Sequence, residues 1–128
     1  MHTAPYFSAL GLLTIVHAVR VISLRWKHKI SLGDGGNQEL NVMIRVFGNH
    51  AEYAPIGLIL LAALEFVQAP AWYLHFTGMT LVVGRLLHAY GLPKSPGHIG
   101  RVAGMILTLT SIGLGSIGVM LFTLWGSH

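Results

Sequence analysis

The sequence has 128 residues, 53% of them hydrophobic and only 9% charged, with a formal net charge of +4. Soluble domains carry roughly 25% charged residues, so an ordinary water-facing globular surface is excluded, and the mean hydropathy of +0.64 points to a membrane. Cysteine is absent, which rules out a disulfide framework, a thiolate metal site and a cysteine nucleophile.

In chain order, four apolar stretches stand out: Ala4 to Leu24, Val42 to Val67, Ala71 to Leu92 and Val102 to Trp125. Each is near or above the ~20 residues that a helix needs to cross a bilayer. The expectation is an all-α, four-transmembrane-helix bundle in a single domain, residues 1–128. The first stretch is read as a retained span rather than a secretory signal, because its basic cluster "RWKHK" follows the apolar run and no cleavage pattern succeeds it.

The first loop, "RWKHKISLGDGGNQEL", is the long polar segment, with Gly33, Gly35 and Gly36 suited to a turn and Asn37 or Asn41 to a helix cap. Pro55 and Gly57 are predicted to kink the second helix. The short "VQAPAW" joint makes helices two and three antiparallel neighbours. "GLPKSPGHIG", with two prolines, separates helix three from helix four. Ser111, Gly115 and Gly118 form a small-residue surface on helix four, suited either to packing within the bundle or to a subunit contact.

Arg25, Lys27 and Lys29 fall in the first loop, and Lys94 and Arg101 in or beside the third. The N-terminus, the "QAP" turn and the "GSH" tail hold no Lys or Arg. This is a membrane-topology pattern and not a nucleic-acid footprint. The positive-inside rule predicts both termini periplasmic and loops one and three cytoplasmic, in a multi-pass inner-membrane protein.

With that orientation the polar groups fall in one layer. His17 and Arg20 lie near the inner end of helix one. Arg45, Asn49 and Glu52 lie on one stripe of helix two at i, i+4 and i+7, with His50 off it. Arg85 and His88 share a face of helix three, and Arg101 begins helix four. An ionisable residue at the centre of a span costs ~2.5–3.5 kcal/mol on insertion scales, so such a layer reads as a polar cavity. Competing readings exist for each residue. Glu52 could merely neutralise Arg45 or Arg85, Arg20 could be an interfacial anchor, and His17 and His50 could be packing histidines. Tyr53, beside Pro55, could be core, with a hydroxyl that needs a partner. Glu65 needs only headgroups or water at the outer end of helix two.

The excess of Arg over carboxylate suits a small anionic or thiolate ligand. Arg forks grip carboxylates in pairs of hydrogen bonds, and a nearby guanidinium lowers a thiol pKa from about 8.5. Glutathione, with two carboxylates, an ammonium and a thiol, fits this description. The residues alone reach only a small polar anion.

"RVFGNHAEYAP", Arg45 to Pro55, resembles the helix-two signature of the MAPEG family, the membrane-associated proteins in eicosanoid and glutathione metabolism. "GRLLHAYG" resembles its helix-three signature, and Arg101 lies where prostaglandin-forming members carry a helix-four Arg. The likeness runs over essentially the whole chain. It implies a homotrimer with glutathione, as co-substrate, held in a U shape between adjacent subunits. It implies further that Arg45, Asn49, Glu52, Tyr53, Arg85 and His88 bind glutathione and that Arg101 faces the sulfur. Two positions depart from the pattern. Leu92 stands where the family often has Tyr, and Gly48 where prostaglandin-forming members have a second Arg, so an eicosanoid substrate is not expected.

The leading expectation is a glutathione-dependent membrane transferase or peroxidase. Arg101, and with it Arg85, would stabilise a thiolate that attacks a lipophilic electrophile from the bilayer, with no metal. One alternative is a non-enzymatic lipid-binding or scaffold member of the family. A second is a haem electron carrier using His17, His50 and His88. A small drug-proton antiporter is a third class, but helix one lacks the membrane carboxylate that it would use.

Overall fold

The computed structural model of the chain describes residues 1–125 and is all-helical. Residues 126–128, the "GSH" tail, lie outside the described residues. Helix α1 runs Ala4–His28, α2 Gln38–Phe66, α3 Ala71–Gly91 and α4 Ile99–Trp125. Each is longer than the bilayer core requires or close to it, at 25, 29, 21 and 27 residues. By length and apolarity alone α1 and α4 qualify as spans. The two central helices fall short because they carry the polar residues of the expected layer. Most of α1 faces outward, through Leu12, Ile15, Val16, Val19 and Ile22, as a lipid-facing helix should.

Local chemistry sets the joints. Asn37 caps α2, its Oδ1 accepting the Leu40 N–H at 2.9 Å. Gly33, Gly35 and Gly36 all take positive φ (66°, 56° and 76°), which lets the chain reverse between α1 and α2. Pro55 is exposed and sits inside α2 without dividing it. Glu65 does more than meet headgroups. Its carboxylate accepts the His2 and Thr3 N–H groups and the Thr3 hydroxyl, fastening the start of α1 to the far end of α2.

The core is a column of Tyr6, Leu10, Ala54, Leu61 and Leu81, with Leu64, Ala69 and Leu74 beneath Tyr73 and Phe122. Helices α3 and α4 make the most extensive pairing in the bundle. The cause lies in their sequences: a Cβ placed on Gly104 would come within 2.3 Å of the His88 backbone nitrogen, and one on Gly91 within 2.1 Å of that of Arg101. The helices therefore meet backbone to backbone. Ser111, Gly115 and Gly118 are all buried within the bundle. Ser111 Oγ donates to the Thr77 carbonyl at 2.9 Å, Gly115 admits Leu60, and Gly118 admits Leu64 and Tyr73.

Candidate functional site: a basic cavity between α2, α3 and α4

The start of α2, the end of α3 and the start of α4 converge, and the 92–96 turn closes one side. Between them lies a cavity of about 740 Å³. The first turns of α2 supply Gln38, Asn41, Val42, Arg45 and Asn49, a helical stripe of i, i+3 and i+4 steps. Helix α3 supplies His88, and α4 supplies Arg101, Val102, Met105 and Ile106. Lys94 comes from the turn. No carboxylate of the described residues lines the cavity, whereas three permanently cationic residues, Arg45, Lys94 and Arg101, do. Its volume falls within the roughly 300–1,000 Å³ of small-molecule sites.

Of the residues singled out in the sequence, Arg45, Asn49, His88 and Arg101 are brought together here. Arg101 lies in the first turn of α4, half-buried, with one guanidinium nitrogen 3.4 Å from the Pro96 carbonyl. His88 is buried, and its Nδ1 has no partner among the described residues. An unpaired buried nitrogen of this kind calls for a ligand or a water.

Arg85 stands behind the wall. Only 1% exposed, it donates from Nη2 to Asn49 Oδ1 at 2.6 Å and lies 5.8 Å from the centre of the Tyr53 ring. It fixes Asn49 in orientation and leaves Nε and Nη1 without hydrogen-bond partners among the described residues. Tyr53 is half-buried and does not line the cavity. Nor does Glu52, which is exposed and makes no ion pair or hydrogen bond among the described residues. The reading of Glu52 as a neutralising partner of Arg45 or Arg85 within one subunit therefore fails. Of the stripe Arg45, Asn49 and Glu52, the first two line the cavity. The cavity ends at the depth of Asn49, and Glu52 lies three residues, about 4.5 Å, farther along the axis.

His17 and His50 lie apart from this cavity as a packed pair, ring centroids 5.2 Å apart and edge to face. Thr14 Oγ1 donates its single proton to the Leu10 carbonyl at 2.8 Å, so it must accept from His50 Nε2 at 2.9 Å. Rings in direct contact leave no room for a macrocycle between them, which removes this pair from the haem reading. Among the described residues, no group of three or more His, Asp or Glu side chains is arranged to hold a metal ion.

Sequence reasoning missed Gln38, Asn41, Lys94 and the apolar wall. The signal for the first two was present, since positions 38, 41, 45 and 49 form one stripe. Lys94 could be placed only once the turn was seen to fold over the cavity.

The MAPEG family model matches residues 3–122. The chain belongs to the MAPEG family. Among curated relatives it is similar to the inner membrane protein YecN of Escherichia coli strain K12, 38% identical over 91 residues, 71% of this chain and 70% of the relative. The YecN protein of E. coli O6:H1 strain CFT073 matches to the same extent. Within a MAPEG membrane bundle both departures from the family pattern can now be located. Leu92 lines the cavity. A side chain at position 48 would extend toward Arg45, the one atom near its Cβ position being the Arg45 Nη1 at 3.8 Å.

Proposed function

We propose that this protein is a glutathione-dependent transferase or peroxidase of the inner membrane, acting on lipophilic electrophiles. The observation that carries the reading is the cavity, which presents Arg45, Lys94 and Arg101 with no carboxylate of its own. Glutathione at neutral pH is a net anion with two carboxylates, and guanidinium forks bind such groups bidentately. Family membership and the inner-membrane name of the YecN relatives support the location.

Glutathione supplies a thiolate that attacks the electrophilic carbon and expels its leaving group as an anion, or, with a second glutathione, reduces a hydroperoxide to the alcohol and water while the two thiols become a disulfide. In the conjugation the thiol proton passes to water. The chain's own residues bind, orient and polarise. Arg45 holds a carboxylate at the inner rim, and Asn49, aligned by Arg85, orients an amide. Arg101 favours the charged sulfur over the neutral thiol, because its charge is less screened there than in bulk water. Val102, Met105 and Ile106 form the apolar side, with Val102 and Ile106 exposed toward the lipid where an electrophile would arrive.

A homotrimer belongs to this reading. Glu52 is exposed near the middle of α2, where a carboxylate facing hydrocarbon is costly. A neighbouring copy covering that face would place Glu52 and Tyr53 beside the open side of the next cavity, as the U-shaped ligand of the family requires. Leu92 favours a second reading, a non-enzymatic lipid-binding or scaffold member, since the cavity lacks the hydroxyl that the family often has there. A thermal-shift series on the detergent-purified protein separates the two. Stabilisation by glutathione together with turnover of a small aryl halide supports the enzyme. Stabilisation without turnover supports the scaffold, and neither one overturns the site.

A further inference from the structure

A second concavity, of about 500 Å³, opens at the end of α1; it shares no lining residue with the basic cavity and is independent of the reading given to it. It is lined by Ile22, Arg25, Trp26, Lys29, Ile30 and Ser31. The chain builds it by doubling back. Lys29 adopts the left-handed conformation (φ 55°), its N–H bonds the Trp26 carbonyl at 3.3 Å, and the Ile30 N–H bonds the Arg25 carbonyl at 3.0 Å. This folds Ile30 back toward the last turn of the helix. Glycine is the residue that takes that backbone freely, since a Cβ there crowds the following carbonyl. A lysine is held there instead, and it lines the concavity. Arg25 is held in place as well, its Nη1 donating to the Gly33 carbonyl at 2.8 Å, which leaves other N–H groups of the guanidinium available.

We infer that this concavity binds the phosphate headgroup of an anionic phospholipid, with Arg25 and Lys29 on the phosphate and Ile22, Trp26 and Ile30 against the first methylenes of an acyl chain. Position and charge choose the occupant. The concavity sits at the end of a membrane-spanning helix, and Trp26, 82% exposed, is the aromatic residue expected at the depth of the headgroups. No carboxylate lines it: Asp34 accepts the Gly36 N–H, and Glu39 lies 3.8 Å from His28. The negative end of the α1 dipole opposes an anion here, but the Arg25 and Trp26 carbonyls are already bonded and Arg25, Lys27 and Lys29 outweigh it.

The test uses the full chain in a neutral detergent, where no charged surface exists to attract lysines indiscriminately. Native mass spectrometry counts bound dioleoyl phosphatidylglycerol against dioleoyl phosphatidylcholine. The wild type should retain the anionic lipid several-fold more. Lys29→Gly, which relaxes the backbone and so preserves the fold, should lower that retention about fivefold, the factor of one basic residue at an anionic surface. Lys27→Gln, the same loss of charge outside the concavity, should leave it unchanged. Arg25→Gln should act like Lys29→Gly but also frees the 30–33 turn, so the glycine variant decides. Equal retention of the two lipids overturns the inference, and so does an equal effect of Lys27→Gln. Displacement of the lipid by equimolar sn-glycerol 1-phosphate would make this a soluble-phosphate site and overturn the lipid assignment.

Discussion

Arg85 on α3 and Asn49 on α2 are joined by a 2.6 Å hydrogen bond in which a fully buried guanidinium meets no carboxylate among the described residues. The bond ties the helix that carries His88 to the helix that carries Arg45, so the back of the cavity is set by one polar contact. Removing only its acceptor leaves the cation stranded. Asn49→Leu should lower unfolding stability in detergent by about 1–3 kcal/mol. The double variant Asn49→Leu/Arg85→Met should recover part of that loss, because no unpaired charge remains. A double variant less stable than the sum of the two single ones would contradict the assignment.

Glu52 makes the partner-subunit arrangement testable. If it reaches glutathione across an interface, Glu52→Gln should keep its unliganded stability and lose most of the ligand-induced gain. In the wild type that gain is about 2.7 kcal/mol at a hundred times the dissociation constant. A thermal shift on wild type and variant, with and without glutathione, checks this. An undiminished gain in the variant would remove Glu52 from the site.

Arg101 and Arg45 should divide their labour. Ultraviolet titration of the glutathione complex is expected to show a thiol pKa below the ordinary value of about 8.5. Arg101→Ala should return it upward and cut conjugation to an aryl halide by roughly tenfold, one pKa unit of thiolate stabilisation, while affinity changes less. Arg45→Ala should weaken binding more than it moves the thiol pKa. Thiolate formation independent of Arg101 would make that residue a helix-end anchor.

The α3–α4 seam gives a steric prediction. Gly104→Ala drives a methyl group into the His88 and Gly84 backbones and should cost several kcal/mol or prevent assembly of the pair. Gly113→Ala meets nothing within 4 Å on the same helix and should be neutral or gain up to about 1 kcal/mol from helix propensity. Thermal unfolding of the two variants side by side tests the contrast.

Orientation can be read with single cysteines, since the chain supplies none of its own. Gln68→Cys, in the α2–α3 turn, should react with an impermeant maleimide added to intact cells, and Leu32→Cys, in the first loop, only after lysis. The reverse pattern would invert the topology.

Much of this was legible in the sequence because the bilayer leaves few choices. Four apolar runs had to be helices, and the phase of Arg45 and Asn49 placed both on one wall. Helix ends proved less legible: α1 runs on into "RWKHK" as far as His28 and α2 begins at Gln38, outside the apolar runs, since polar residues at the boundary still complete the backbone bonds. The depth of the cavity was not readable either. Periodicity gives the angle around a helix, but the point where a pocket ends depends on which neighbours fill it, and this separated Glu52 from Asn49. Arg85 and Arg101 looked alike in sequence. Only the crossing of α2 and α3 makes one a buried brace and the other a lining residue.

The glycine seam also fixes which parts of the molecule can move. Two helices in backbone contact have no intervening rotamers to rearrange, so α3 and α4 behave as one stiff plank carrying His88 and Arg101 at a set spacing. Arg45 and the acceptor atom of Asn49 ride on a different body. Any widening or narrowing of the cavity must therefore be a displacement of α2 against that plank. Spin labels on α2 and α4 should report a change of distance on ligand addition, and a pair on α3 and α4 should report none.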